Sequence, residues 1–409
     1  MDQQYIIIGA GIAGLYAAYQ LKRQNKSFII LEKSSKKDIG GRMGSPLFHG
    51  THVAKGAGVG RKRKDKLLIQ LLDELKVPYT EYKSRHQYAE TIGPGPCNVK
   101  ETFLHIKHSY ETSNHKLQKN NTFKSFAEPL LGKRQYQHFI TCAGYTDYEN
   151  EDIESTLYDY GFDDNYLNWT GLSIPWDILL KRLIENIGAH NIHHNTEVTD
   201  ISVACPSKDQ TNNTYVIQTA RGKTYMAHRL IVALTITPLR KLLPAVPEYK
   251  HIRSQPFLRI YGKFSKASIP FMEEKVAVLT VVPGPLYKII PINPDDGIYM
   301  IVYTDNKGAV ALKGHKENTP ENRRYLCGQL ERALGLPSEA LTLLSIVDFY
   351  WEDGTHYYTP LPEAYGSREE FIYRAQHPYP NVLVIGEAVS QNQGWVEGAL
   401  ESTAAAFDS

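Results

Sequence analysis

The stretch Gly9-Ala10-Gly11-Ile12-Ala13-Gly14 constrains this chain more than any other. It follows residues 4–8, a short and mostly apolar run that reads as a buried parallel strand. It opens a segment, reaching about Arg23, in which Ile12, Leu15, Ala18 and Tyr19 recur at helical spacing. Phe28-Ile29-Ile30-Leu31 is a second strand, ending at Glu32 and Lys33. In this context the glycines have separate tasks. Gly9 permits the tight turn, Gly11 lets the backbone approach a pyrophosphate, and Gly14 lets the helix pack closely on the strand. The helix start at Ile12 and Ala13 offers free N–H groups and partial positive charge to phosphates. A carboxylate at Glu32 can accept hydrogen bonds from ribose hydroxyls and would repel a 2′-phosphate. The expectation is an α/β fold of Rossmann type with a dinucleotide site.

With 409 residues the chain is long enough for two domains, and 42% hydrophobic with 22% charged residues fits a soluble globular protein. The net charge of +2, from 46 basic and 44 acidic residues, gives no global pull toward nucleic acid or membrane. Arg61-Lys62-Arg63-Lys64 is a local basic run, open to a polyanion or localisation reading and to that of a solvated helix start. Cys97, Cys142, Cys205 and Cys327 are far apart and form no Cys-x-x-Cys pair, so neither a disulfide framework nor a metal site is expected and a reducing compartment fits, although four cysteines could still pair. His193-His194 lacks a third ligand at sensible spacing. No leader and no run of eighteen apolar residues is seen, so a cytoplasmic, non-membrane protein is expected.

Helices are expected over about 63–76, 176–187, 320–334 and from Gly394 onward. Strands are expected near 197–203, 214–220, 223–234, 343–350 and 382–385, with a series of strands over 256–303. Residues 79–170 are polar, without long apolar runs, and read as short helices and loops. The pattern is α/β at both ends with two insertions, which points to interleaved domains.

Three further stretches select FAD over NAD. Gly40-Gly41-Arg42-Met43 can pass close to the pyrophosphate and ribityl chain, with Arg42 neutralising charge. Leu230-Ile231-Val232-Ala233-Leu234-Thr235 is a buried strand after a hairpin signal. Val382-Leu383-Val384-Ile385-Gly386-Glu387 ends a strand in Gly-Glu, and Gln393-Gly394-Trp395-Val396-Glu397-Gly398-Ala399 opens a helix. Glu387 can bond ribityl hydroxyls. The helix start at Trp395-Val396 can face flavin N1 and C2=O, where reduced flavin carries negative charge.

On these motifs the chain resembles the flavin-containing amine oxidase superfamily, to which monoamine and polyamine oxidases belong. The resemblance covers the first 80 residues, the region 195–265 and the last 60. It implies an FAD-binding domain from 1–78, 175–248 and 354–409, with a mixed-sheet and helical substrate domain from 79–174 and 249–353. It also implies that Gly56-Ala57-Gly58-Val59 runs beside the flavin and that the Val198 backbone meets adenine. Trp395 and Tyr357, or alternatively Tyr358, would face each other before the flavin and guide a small amine. Arg259 falls where relatives carry a lysine that holds water at flavin N5; it can hold water, bind a substrate carboxylate or pair with an acid. His356 stands where some relatives attach FAD covalently, and non-covalent FAD is the expectation. The implied reaction passes hydride from the amine to flavin N5, with O₂ as the oxidant of reduced flavin. The acidic run Asp147 to Asp164 would steer a cationic substrate or form a solvated face. Alternatives are a non-amine or amino-acid oxidase or desaturase, and a non-catalytic FAD-containing binding protein. The oligomeric state is left open.

Overall fold

In a computed structural model, which describes residues 5–113, 121–162, 165–205 and 213–408, the glycine motif joins strand Tyr5–Ile8 to helix Ile12–Arg23. The strand sits mid-way in a five-stranded parallel sheet, in the order Val382–Val384, Leu230–Val232, Tyr5–Ile8, Phe28–Leu31, Ile192–His193. Ile8 lies level with Val232 on one side and Leu31 on the other. Both faces are covered, which is why these strands read as unbroken apolar runs. Ile7, Ile30 and Ile231 pack under helices Ile12–Arg23, Trp176–Ile187 and Val396–Asp408. Ile6, Ile8 and Val232 pack against Ile236, Leu239 and Phe371 and against an antiparallel sheet of strands Val198–Cys205, Thr214–Thr219 and Thr224–Ala227. Each fully buried isoleucine contributes roughly 2 kcal/mol.

A second sheet has six strands, in the order Leu343–Tyr358, Ile252–Phe264, Ile298–Asp305, Lys288–Asn293, Leu279–Val281 and His86–Tyr88. Along Ile252–Phe264, the two-residue period of a strand sends Leu258 and Ile260 into the core behind the sheet, while Gln255, Phe257, Arg259 and Tyr261 line a cavity in front of it. The sequence places a strand over 343–350 only. Pairing with Ile252–Phe257 carries it on to Tyr358, through a register shift at which a Cβ on Gly354 would lie 2.3 Å from that of Phe257. The strand therefore crosses the boundary expected at 353/354.

Residues 79–170 hold more structure than their polarity suggests. Helices Val99–Thr112, Phe123–Leu131 and Lys133–Ala143 close on a core of their own. Its apolar surface comes from aromatic rings rather than aliphatic runs; the Tyr148 and Phe162 rings stand 4.5 Å apart, and Phe123 meets Tyr148 at 5.2 Å. The cysteine expectation is corrected here. Cys97 and Cys142 form a disulfide, brought to a Cα–Cα distance of 5.4 Å across 45 residues of chain by the packing of these helices. His138 Nε2 lies 3.5 Å from Cys142 Sγ. Gln4, Asp163 and Asp164, which entered the strand and acidic-run readings, lie outside the described residues. Among the described residues no helix is long and apolar enough to cross a membrane.

Candidate active site

One cavity of about 2140 Å³ connects nearly all the residues singled out in the sequence. It is larger than a pocket for a small ligand alone, which is roughly 300–1,000 Å³. Its wall begins at Gly9, Gly11, Ile12, Ala13, Glu32 and Lys33 and includes Val198. It continues past Gly40, Gly41, Arg42, Met43, Gly56, Ala57, Gly58 and Val59. It also takes in Gly386, Trp395, Val396, Tyr357 and Arg259. Gly14 lies outside the lining, because it does the packing expected of it: a Cβ there would stand 2.0 Å from the Gly9 carbonyl oxygen.

The turn is built for a close ligand. Gly9 has φ +99°, and a Cβ on it would meet the Ala233 carbonyl at 2.5 Å. A Cβ on Gly11 would meet nothing within 4 Å, so the space above it is open. Glu32 Oε2 accepts the Ala10 N–H at 2.6 Å and Oε1 that of Ser34 at 2.8 Å, leaving each oxygen a further lone pair for a ribose hydroxyl. A dinucleotide fits this set: an open approach at Gly11, the helix start, and a partly engaged carboxylate across from it.

Glu387 has a different place from the one expected. Oε1 accepts the N–H groups of His356 at 2.9 Å and Gly394 at 2.8 Å. Oε2 accepts Arg42 Nη1 at 2.9 Å and bonds His356 Nδ1 at 2.5 Å. A carboxylate has about four acceptor sites, and all are used, so none remains for a ribityl hydroxyl. Burial alone would raise the carboxyl's pKa, but the His356 ring bonded to it and the Arg42 guanidinium hold it well below the usual range. Arg42 is held with it: Nη1 of its guanidinium donates to Glu387 and to the Gly354 carbonyl at 2.7 Å, while the side chain also lines the cavity. Glu387 thus ties together three stretches of chain that the cavity wall needs. His356 Nε2 accepts the Ile236 N–H at 3.1 Å, so both ring nitrogens are engaged and Nδ1 carries the hydrogen.

At the far end Trp395 and Tyr357 line the cavity, while Tyr358 points away and donates to the Ser390 carbonyl at 2.9 Å. The outer face of Trp395 is covered by Arg61, whose Cζ stands 3.7 Å from the ring centroid. Arg61 is itself held by Asp65 at 2.7 Å and buried, so it is no part of a solvated basic run. Glu397, in the same motif as Trp395, caps the helix Lys66–Glu74 through the N–H groups of Leu67 and Leu68.

Sequence reasoning missed part of the wall. Tyr145, Asp147, Glu151 and Tyr160 reach it from the 79–170 region, and Gln255, Lys288 and Tyr303 from the second sheet. The acidic run gave a signal, but Asp147 and Glu151 are not on a solvated face. Asp147 is enclosed by protein, keeps surface toward the cavity and accepts the Tyr160 hydroxyl at 3.0 Å. Glu151 accepts Thr156 Oγ1 at 2.6 Å. Burial, with Asp305 close by, pushes Asp147 up to about 7. Burial likewise pushes Glu151 up to about 8. Both therefore bind protons more tightly folded than unfolded. Between the ordinary carboxyl range near 4 and about pH 8, stability is expected to rise as pH falls. A melting series from pH 8 to pH 5 checks this; the rise should shrink in Asp147→Asn and in Glu151→Gln.

This arrangement, a parallel βαβ sheet with its glycine turn opening into a cavity closed by a second mixed sheet, defines a dinucleotide-binding fold. A family model for NAD(P)-binding Rossmann-like domains matches residues 7–75, and one for flavin containing amine oxidoreductases matches residues 98–406. The chain belongs to the flavin-containing amine oxidoreductase family, and its cofactor is a flavin. Among solved structures, it is similar to a wild-type putrescine oxidase bound to putrescine, with a TM-score of 0.75 at 14% identity, over 100% of this chain and 99% of that one. A triple mutant of putrescine oxidase redesigned in its cofactor binding matches with a TM-score of 0.75 at 15% identity, over 100% of this chain and 98% of that one. No curated protein matches the sequence.

Proposed function

We propose that the protein is an FAD-dependent oxidase of a small amine. The observation that carries this reading is the continuity of one cavity from the glycine turn to Trp395, Tyr357 and Arg259. Bound FAD would supply the two-electron oxidant, accepting hydride from the carbon that bears nitrogen; water would hydrolyse the resulting imine, and O₂ would take up the electrons as hydrogen peroxide. Residues 1–78, 175–248 and 354–409 would hold FAD, and 79–174 and 249–353 the substrate. Glu32 would take the ribose hydroxyls, the helix start at Ile12 and Ala13 the pyrophosphate, and the helix start at Trp395-Val396 the pyrimidine edge of the flavin.

The protein's own groups act on the substrate by position. Trp395 and Tyr357 form the walls between which an amine nitrogen and its carbon are held. The Arg61 guanidinium on the outer face of Trp395 draws on the same ring quadrupole that would attract a substrate ammonium, which favours the neutral amine as the form bound. Only a neutral amine can release hydride readily, since its nitrogen lone pair forms the C=N bond as hydride leaves.

The test is anaerobic mixing of the purified holoprotein with primary and secondary amines, putrescine included. Loss of the oxidised flavin absorbance, and peroxide on admitting air, is the expected result. No reduction by any amine or amino acid would overturn the reading. Trp395→Leu and Tyr357→Leu are each expected to lower kcat/KM about tenfold, from roughly 1–2 kcal/mol of lost ring contact, with flavin content unchanged.

A further inference from the structure

We propose that Arg259 is a carboxylate-binding residue, and hence that the amine oxidised here carries a carboxylate, as an amino acid does. The inference rests on the reading of the site as an amine oxidase and names its substrate class.

Arg259 lies mid-strand in Ile252–Phe264, is 5% exposed and faces the cavity. Its guanidinium stands over the Tyr303 ring at 4.7 Å and spends one donor there, from Nη2 to the hydroxyl at 3.3 Å. Nε and Nη1 are buried with no hydrogen-bond partner. The end of the group lies against Gly58, where a Cβ would be 3.1 Å from Nη2, so it borders the stretch expected to run beside the flavin. Burial opposes the charge, and Tyr303, Tyr261 and Tyr145 act in its favour, so that the guanidinium stays protonated. Among the described residues no carboxylate forms an ion pair with it.

An arginine stays protonated in proteins, and a buried charge without a counter-ion costs several kcal/mol. Native interiors pair such charges. The partner is not the cavity's own acid. Asp147 and Asp305 have Lys288 as the cation acting on them, and burial favours the protonated form of both Asp147 and Glu151. Nor is it an oxidised flavin ring, which carries no charge. A substrate carboxylate supplies the missing charge and would accept the unused donors. It would also anchor the substrate in front of the flavin, at a fixed distance from the carbon that gives up hydride. Arg259 would then act on binding and orientation rather than on proton transfer.

The experiment uses the holoprotein and carboxylates that cannot be oxidised. Acetate, butanoate and benzoate are titrated beside acetamide, butanamide and benzamide, and binding is read from the shift in the visible flavin spectrum. Carboxylates are expected to bind at least tenfold more tightly than the matching amides. Arg259→Gln should erase that preference and Arg259→Lys keep part of it, both with full flavin content. Equal binding of acids and amides by the natural protein, no shift with any carboxylate, or a preference that survives in Arg259→Gln would overturn the proposal. Should a variant fail to fold, the comparison of acids with amides on the natural protein still decides. A second arm compares amino acids with the amines formed by their decarboxylation, such as lysine with cadaverine, as reductants. Reduction by amines without carboxylate binding sinks this inference and leaves amine oxidation standing. Carboxylate binding without reduction by any amine or amino acid does the reverse.

Discussion

Gly11→Ala and Gly14→Ala are each expected to yield protein with little or no bound flavin, but for different physical reasons. At Gly14 a methyl group would stand 2.0 Å from the Gly9 carbonyl oxygen, a contact that backbone must move to relieve. Overpacking of this kind costs about 3 kcal/mol, and it forces the helix Ile12–Arg23 off the strand. The variant should melt at lower temperature even without cofactor. At Gly11 the backbone has φ −75° and ψ −179°, open to any residue, and an added Cβ meets no protein atom within 4 Å. The apoprotein should therefore be as stable as the natural one. Its methyl would fill the space the pyrophosphate needs, and flavin affinity should fall a hundredfold or more, about 2.7 kcal/mol. Thermal melts of the apoproteins with flavin titrations separate the two effects. A Gly11→Ala protein that binds flavin normally would show that the phosphates lie elsewhere.

Glu387→Gln is the second large effect. The amide keeps one acceptor oxygen where the carboxylate has two, and its NH₂ group would face either the two N–H groups of His356 and Gly394 or the pair Arg42 and His356. Removing one partner of a buried ion pair costs 3–5 kcal/mol. A loss of about 3 kcal/mol is expected, since Arg42 is 29% exposed. The pH dependence has a definite sign. The folded carboxyl titrates far below its unfolded value near 4.3, so its contribution is complete above that pH and is lost as pH falls. Stability of the natural protein should fall steeply below about pH 4.5, and less so in Glu387→Gln. Together with the opposite slope from Asp147 and Glu151, this puts the maximum in weakly acidic solution. A melting series that is flat below pH 4.5 would mean that Glu387 is not held in this network.

The parallel sheet was legible because its signals are local. Strand, glycine turn and helix follow one another between residues 5 and 23, and sheets buried on both faces read as apolar runs. Helices Trp176–Ile187 and Pro320–Leu334 were equally plain, each with an apolar face at regular spacing and a glycine just past its end. The long strand Leu343–Tyr358 was cut short because its second half is polar and is held by its neighbour rather than by its own composition. The same limit applied to the site. Motifs brought Gly9, Glu32, Arg42 and Trp395 into view, but the network on Glu387 joins Arg42, His356 and Gly394 from separate stretches of chain, and no local pattern shows that all four acceptor sites are filled. Asp147 was visible as a charge, yet whether a charged residue faces water or a cavity is decided by the helices that enclose it. Cys97 and Cys142 pair for the same reason: the distance that matters is across the fold.

The central claim is that stretches near residues 9–14, 32, 40–59 and 386–396 form one wall for a single extended flavin dinucleotide. Acid extraction of the purified protein, with identification and quantitation of what is released, tests it most directly. One equivalent of FAD per chain, released without covalent attachment, is the expected result. A colourless protein that takes up no FAD when it is supplied, or one that carries FMN instead, would contradict it.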